Sequence, residues 1–425
     1  MRILRACGIK PAPSPAPPLL WRHASSHWTV DMPQGLESSL KQDADIIVVG
    51  GGLAGSAAAV SLARNNLKVI HLAPTAPPDR RTSALMIPSV DFMRQAGLIA
   101  DPGEIGHPLT AIRIIDATPR LIRAPETLFE AREAGLPAFG WNFPNAALLN
   151  RFQAAAPVNA PDIRNAAVAD YRRDGDLGVV TLADGTILGA PLVVGADGKK
   201  SLLRAAAKIT TREHHFSQAA LVCDLELGRP IDETSIEFHY THGPFTLVPA
   251  GGNKVNLVWI DEEPVLRQVQ SGGPEALASA ISQRSQHLFG AIVLSSPSFV
   301  FPLSTLTVET AGRDGLALIG EAAHAFPPIG AQGLNLGLRD VADLLASIRT
   351  ADRTRSNWGI EASHSYAVSR APDLARTGGM VDTLFRSLLA DMLPSQAMRA
   401  GGLWALKLLP PLRRQAFALG MGARN

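Results

Sequence analysis

Cysteine is almost missing from this chain: Cys7 and Cys223 are the two it has in 425 residues. They lie far apart and form no CxxC pair, so a disulfide framework and a tetrathiolate zinc or iron–sulfur site are excluded. No charge of one sign predominates either. Lys and Arg total 40 against 38 Asp and Glu, a net charge of +2. A nucleic-acid binder carries a clustered basic surplus, so no nucleic-acid partner is expected. Long apolar runs are equally scarce. Ile46 to Ala63 is uncharged over 18 residues, the length of a membrane span. Gly50, Gly51, Gly52 and Gly55 interrupt it, and a strand, a tight turn and a small-residue helix account for it better. Repeats at solenoid periods are also lacking.

What remains is an ordinary globular balance, with 46% hydrophobic and 18% charged residues. Residues 1–44 stand apart. PAPSPAPP (Pro11 to Pro18) cannot hold a helix, since proline lacks the amide donor. No acid precedes Asp31, whereas Arg2, Arg5, Lys10 and Arg22 are basic, a weak likeness to an organelle transit peptide. The plainer expectation is a disordered extension, or a start assigned too early with Met32 as the alternative. From Asp45 the texture is α/β. Ile46–Val49 reads as a buried strand, Ala54–Arg64 as a helix and Val69–Leu72 as a second strand. That is the opening βαβ of a dinucleotide fold. Strand-like alternation dominates 212–309, broken by a helical insertion at Pro264–Phe289. Helical texture returns after Gly333.

Three motifs carry chemistry. The first is Gly50-x-Gly52-x-x-Gly55, directly after DIIVV. Gly50 permits the tight turn, Gly52 admits a pyrophosphate to the backbone, and Gly55 lets helix and strand pack closely. The helix start, with Ala54 in its first turn, offers amide donors and a positive dipole end to the anion. The acid expected at the end of the second strand is missing, because Ala73 stands there. The second motif is Gly195-Ala196-Asp197-Gly198-x-x-Ser201-x-x-Arg204, after the strand LVV. The third runs Gly320-Glu321-Ala322-Ala323-His324, then Pro327-Pro328, then Gly330-Ala331-Gln332-Gly333-Leu334-Asn335. A carboxylate at a strand end can bind a ribityl or ribose hydroxyl. A glycine-rich helix start can set N–H donors against developing negative charge.

These segments resemble the flavin-dependent aromatic hydroxylases of the para-hydroxybenzoate hydroxylase type, and among them the ubiquinone-biosynthesis ring hydroxylases. The likeness rests on VVGGGLAGSAAAVSLA, DRRTSALMIPSVDFMRQAGL, VVGADGKKSLLR, GPFTLVP with VNLVW, and GEAAHAFPPIGAQGLNLGLRD. It covers roughly residues 45 to 345, with a weaker continuation in SYAVSRAPD. It implies an α/β fold: a discontinuous Rossmann-like FAD domain (45–109, 140–211, 310–349), an inserted substrate sheet (110–139, 212–309) and a helical C-terminus (350–425). It further implies FAD as cofactor and NAD(P)H as co-substrate. The reaction implied is hydroxylation of a prenylated phenol by a flavin hydroperoxide formed from O₂. Carried over by position, cofactor contacts fall on Gly50, Gly52, Ala54, Gly55, Arg81, Asp197, Gly198, Gly320, Glu321, Pro327, Gly330, Gln332, Gly333, Leu334 and Asn335. His324 and Pro328 are expected to face the flavin ring.

The sequence departs from the family at Ala73, at Glu321 in place of Asp, and at Asn145, where relatives often carry a flavin-contacting arginine. There is no second strand-linked GxGxxG and no cysteine pair beside the flavin, which argues against pyridine-nucleotide disulfide reductases. A non-catalytic flavin-binding accessory subunit and another flavin oxidoreductase, an oxidase or isoprenoid reductase, stay open as alternatives. His214 and His215 alternate across a strand and cannot chelate one metal, so no metal is expected. His239, Tyr240 and His242 sit in the substrate sheet, where one of them would assist phenol deprotonation. Leu403–Leu409 followed by Arg413-Arg414 is apolar with a basic end. It reads either as a terminal helix docked on the flavin domain or as a peripheral membrane contact. A cytoplasmic protein, peripheral at the inner membrane and in contact with other quinone-biosynthesis proteins, is the corresponding expectation.

Overall fold

A computed structural model describes residues 41–119, 123–328 and 330–389. The proline-rich start, Cys7, Met32 and the Leu403–Leu409 segment lie outside the described residues. The α/β architecture expected from the sequence is present, built around two large sheets.

The first sheet has six strands in the order Gly312–Arg313, Leu316–Leu318, Leu192–Gly195, Ile46–Val49, Val69–Leu72 and Asp162–Arg164. Ile46–Val49 lies between two parallel neighbours and is buried on both faces, which its all-β-branched sequence requires. The helix Leu53–Arg64 covers one face with Ala58, Ala59, Leu62 and Ala63, small enough to let it approach closely. The helices Gln332–Thr350 and Trp358–Leu389 complete that layer. On the other face a three-stranded antiparallel sheet (Val168–Asp174, Leu177–Leu182, Ile187–Ala190) contributes Tyr171, Val180 and Leu188.

The second sheet has nine strands. Its path runs His324–Ala325, Phe299–Val308, Thr211–Leu227, Lys254–Glu262, Gly243–Pro249, Thr234–Tyr240, Ala111–Asp116 and Thr127–Glu130, with Ile292–Leu294 paired to Thr211–Leu227. Ala111–Asp116 pairs antiparallel with Thr127–Glu130 and parallel with Thr234–Tyr240. The helical insertion forms two helices, Glu263–Ser271 and Gly273–Arg284. Their Leu266, Leu277 and Ile281 bury Leu221, Phe238, Phe245, Leu257 and Trp259 on one face of the sheet. The alternate residues point to the opposite face, which these helices leave uncovered. At its margin Phe299 and Phe301 stack on each other, 48% and 46% exposed.

A small sheet, Thr82–Met86, Gly140–Pro144 and His107–Leu109, is hydrogen-bonded to the nine-stranded one. Asn142 Nδ2 donates to Asn256 Oδ1 at 2.7 Å and to the Pro249 carbonyl at 2.9 Å. Asn256 Nδ2 donates onward to Asp224 Oδ1 at 2.6 Å.

A buried ion network ties the C-terminal helix to the helix Gln332–Thr350. Arg370 is 0% exposed, and its Nε lies 2.8 Å from Asp340 Oδ1. Its Nη1 donates to Asp343 at 2.9 Å and to Asp373 at 2.6 Å. Burial works to raise the Asp373 carboxyl, but Arg339 and Arg370 outweigh it and pull it to about 2. Burial works to lower the Arg370 pKa, but Asp340, Tyr366 and Asp373 overcome that desolvation and raise it. Removing the cation alone leaves buried carboxylates uncompensated. Arg370→Ala should therefore cost about 3–5 kcal/mol in urea unfolding. A loss below about 1 kcal/mol, the value of a solvated surface pair, would contradict the network's role.

Candidate functional site

The three motifs converge at the C-terminal edge of the six-stranded sheet, where doubly wound folds bind their ligands. Gly50 follows the central strand with φ of 124°, and a Cβ there would stand 2.1 Å from the Ala196 carbonyl. The first and second motifs thus cross in contact. A Cβ on Gly55 would stand 2.1 Å from the Gly50 carbonyl, so helix and turn meet backbone to backbone. Gly52 has a different reason to be glycine. It caps the helix start and has nothing within 4 Å of where a Cβ would stand, so open space lies beside its Cα.

The turn is braced from beneath by a residue with no motif signal. His71 on the second strand is buried, and its Nε2 donates to the Gly50 carbonyl at 2.9 Å. Burial lowers its pKa, only partly offset by that hydrogen bond, so the ring is held neutral.

In the second motif Asp197 Oδ2 accepts from the amides of Leu202 and Leu203 at 2.7 and 3.2 Å. Its Oδ1 is buried and has no partner among the described residues. Gly198 follows at φ of 81°, again with open space at its Cβ position. Arg204 is buried and donates to the Ala322 carbonyl at 2.8 Å and to the Lys199 carbonyl at 2.7 Å. Arg204 therefore fastens the second motif to the third. Lys199 hydrogen-bonds Ser304 of the large sheet.

In the third motif Gly320 has φ of 58°, which suits glycine, and a Cβ there would stand 3.1 Å from the Ala54 methyl. Ala54 is a packing contact for this turn. Glu321 follows with its side chain exposed. It acts electrostatically on Arg81, whose pKa is raised first by hydrogen bonds to Asp79 and also by Glu321. Pro327 is buried and Pro328 exposed. Gly330 and Ala331 are both left-handed, at φ of 63° and 54°, and turn the chain into the helix that starts at Gln332. Gln332 Nε2 donates back to the Gly330 carbonyl at 3.0 Å, while Gly333 leaves open space. Leu334 lies against the core around Leu85 and Phe143.

Two expected site residues prove to be committed to the protein itself. Asn335 accepts from Met86 N at 2.9 Å and Ser89 Oγ at 2.6 Å, and donates to the carbonyls of Ala84 and Ala331. Its amide is saturated and locks the helix to the strand Thr82–Met86. His324 has a side chain 1% exposed, with Nε2 2.6 Å from Asp340 Oδ2, which also accepts the Gly320 amide at 2.8 Å. Its ring stacks on Phe326.

Arg81 is held by Asp79 through hydrogen bonds of 2.9 and 2.8 Å. Asn145 donates to the same carboxylate at 2.9 Å and accepts from Ser83 Oγ at 2.7 Å. Burial opposes ionisation of Asp79, but the bonds from Arg81 and Asn145 prevail and hold its carboxyl below the ordinary value. Asn145, noted in the sequence only as a departure, here orients the arginine's partner.

Of the polar candidates on the large sheet, Tyr240 lies on the helix-covered face. Its hydroxyl donates to the Arg284 carbonyl at 2.5 Å and its ring lies under that guanidinium. It is half-buried there, with its hydroxyl turned to Arg284. His239, one residue earlier, points the other way and bonds Glu237 at 2.5 Å.

The donor set suits a flavin dinucleotide. Open-faced glycines occur in all three motifs, Gly52, Gly198 and Gly333, and a solvent-shielded carboxylate oxygen of Asp197 lacks a partner. The comparison with known families agrees: residues 43–377 match the FAD-binding domain family. This chain belongs to that family. It is similar along its length to a ubiquinone hydroxylase, UbiL, of Rhodospirillum rubrum, 31% identical over 89% of this chain and 90% of that one. It is 28% identical to the 3-demethoxyubiquinol 3-hydroxylase of Escherichia coli, over 90% of this chain and 99% of that one. Among solved structures, p-nitrophenol 4-monooxygenase PnpA from Pseudomonas putida matches with a TM-score of 0.72 at 17% identity, covering 90% of this chain and 98% of that one. That likeness establishes the fold. The flavoprotein has FAD as its family's cofactor. Among its described residues no helix is long and apolar enough to cross a membrane.

The neutral His71 has a measurable consequence. Unfolded, it takes a proton below about pH 6.5, whereas the buried ring resists charging until lower pH. Its contribution to stability is thus present above about pH 6.5 and is lost as pH falls through the depressed folded value. His71→Gln, which can still donate to Gly50, should flatten the stability curve just below pH 6.5 in denaturant titrations. An unchanged slope would contradict the assignment.

Proposed function

We propose that this flavoprotein is a monooxygenase that hydroxylates the aromatic ring of a prenylated phenol in ubiquinone biosynthesis, using NAD(P)H and O₂. The observation that carries the reading is full-length similarity to ubiquinone hydroxylases combined with an intact third motif. The chemistry that bound FAD supplies is uptake of a hydride from NAD(P)H and activation of O₂ for transfer to an electron-rich carbon.

The chain's own residues bind, orient and shield. Gly50, Gly52 and Gly55 bring the first helix's amides to the pyrophosphate. Asp197 and Gly198 present one carboxylate oxygen and an open backbone to the cofactor. Glu321 holds the ribityl chain, and Arg81, aimed by Asp79 and Asn145, adds a cation opposite it. The amides of Gly333 and Leu334 at the helix start stabilise negative charge on the flavin ring, with Gly330 and Gln332 shaping that turn. Pro327 and Pro328 form the wall beside it. Asn335 and His324 act as positioning residues, since their side chains are occupied by protein partners. The phenol lies against the uncovered face of the large sheet, and Phe299 and Phe301 at its margin offer an apolar seat for a prenyl tail. A phenol activates its own ring, so no strong protein base is needed.

A substrate with a prenyl tail partitions into lipid, which supports a peripheral position at the inner membrane among other quinone-biosynthesis proteins. The missing acid at Ala73 favours a second reading, a flavin-binding accessory subunit without turnover. Two measurements test the proposal. Glu321→Ala should lose about 1.5–3 kcal/mol, or one to two decades, of FAD affinity, with Glu321→Asp mild by comparison. A short-chain prenylphenol should accelerate NAD(P)H oxidation by the purified yellow protein. Retention of FAD by Glu321→Ala would sink that assignment, and oxidation indifferent to every prenylphenol would favour the accessory reading.

A further inference from the structure

Dinucleotide folds commonly end the second strand in an acid that accepts the ribose hydroxyls, and here that place is Ala73. Its methyl lies against the phosphate-binding turn: a Cβ on Gly51 would stand 3.1 Å from it. No polar atom is offered there. The neighbouring edge strand, Asp162–Arg164, runs parallel to Val69–Leu72 with Leu72 opposite Arg164. The last rung of this pair is closed by Ala73 N, which donates to the Arg164 carbonyl at 2.9 Å. Asn165 comes next, in a tight turn that the Ala166 amide closes on the same carbonyl at 2.9 Å, and so lies at the end of the second strand. Asp162 and Arg164 bond each other at 2.6 Å.

Asn165 is exposed, yet its side chain is fixed: Oδ1 accepts the Thr75 amide at 2.8 Å, across the loop that follows the second strand. We propose that Asn165 binds the adenosine ribose of FAD in place of the missing acid, an inference that rests on FAD occupying this turn. The anchor to Thr75 settles which end of the amide is which. Nδ2 donates to a ribose hydroxyl oxygen, and the second lone pair of Oδ1 accepts a hydroxyl proton. The contact is neutral where a carboxylate's would be charge-assisted, so the site holds FAD less tightly than an acid would.

The test is FAD titration of the full chain after removal of its flavin, followed by fluorescence quenching. Asn165→Ala should weaken binding about three- to tenfold with the melting temperature of the flavin-free protein unchanged. Asn165→Asp, which keeps the acceptor for Thr75 and adds a carboxylate, should bind at least as tightly as wild type. Ala73→Glu in the Asn165→Ala background should recover the loss. An Asn165→Ala variant that binds FAD like wild type overturns the proposal, as does a loss that neither repair reverses. A wild-type chain that fails to bind FAD at all would instead remove the reading on which it rests.

Discussion

Asp340 is the residue on which the rest of the site depends. One of its oxygens accepts the Gly320 amide and the His324 ring, and the other faces Arg370 of the C-terminal helix. A single buried carboxylate thus fixes the end of the strand that presents Glu321, the segment leading to Pro327 and Pro328, and the helix that closes over the core. A buried charge is tolerated only when paired, and the pairing here spans elements far apart in sequence. Tyr366 adds a hydrogen bond to the Leu318 carbonyl, so the C-terminal helix grips the same strand twice.

Around that anchor the motifs divide the work between fixed backbone and open backbone. Gly50, Gly55 and Gly320 are glycine because neighbouring backbone or Ala54 stands where a side chain would go. Gly52, Gly198 and Gly333 are glycine where nothing stands. The first group makes the turns rigid, and the second leaves surfaces that a cofactor can approach. Arg204 links the second and third motifs, and Asn142 with Asn256 links the small sheet to the large one. The small sheet thus bridges the large sheet and the helix Gln332–Thr350, and the two inserted helices cover only one face of the large sheet. That arrangement suits a substrate placed between sheet and cofactor.

Much of this was legible in the residues. Ile46–Val49 reads as a strand from β-branched residues alone, and the turn glycines announce the helix that follows. The start of the helix at Gln332 was readable for the same reason. What escaped lies in polar residues whose partners are distant in sequence. Arg370 and Asp373 in SYAVSRAPD look like a solvated helical face, because nothing local reveals that Asp340 and Asp343 wait across the interface. Asn335 reads as a ligand and is a lock, since its four partners come from segments hundreds of residues apart or one turn back. Tyr240 and His239 differ by one position and therefore face opposite sides, a distinction set by the sheet register and not by residue type. His71 carried no signal, because a histidine inside an apolar strand gives no hint that a glycine carbonyl lies beside it.

The central claim is that the oxygen activated at this site enters an aromatic ring, and isotope transfer tests it most directly. The holoprotein would be incubated with NAD(P)H, a short-chain prenylphenol and ¹⁸O₂, and the product examined by mass spectrometry. The account predicts one ¹⁸O atom in the ring hydroxyl of the product. Flavin that is reduced and reoxidised with hydrogen peroxide as the sole oxygen product, across several prenylphenols, would contradict it.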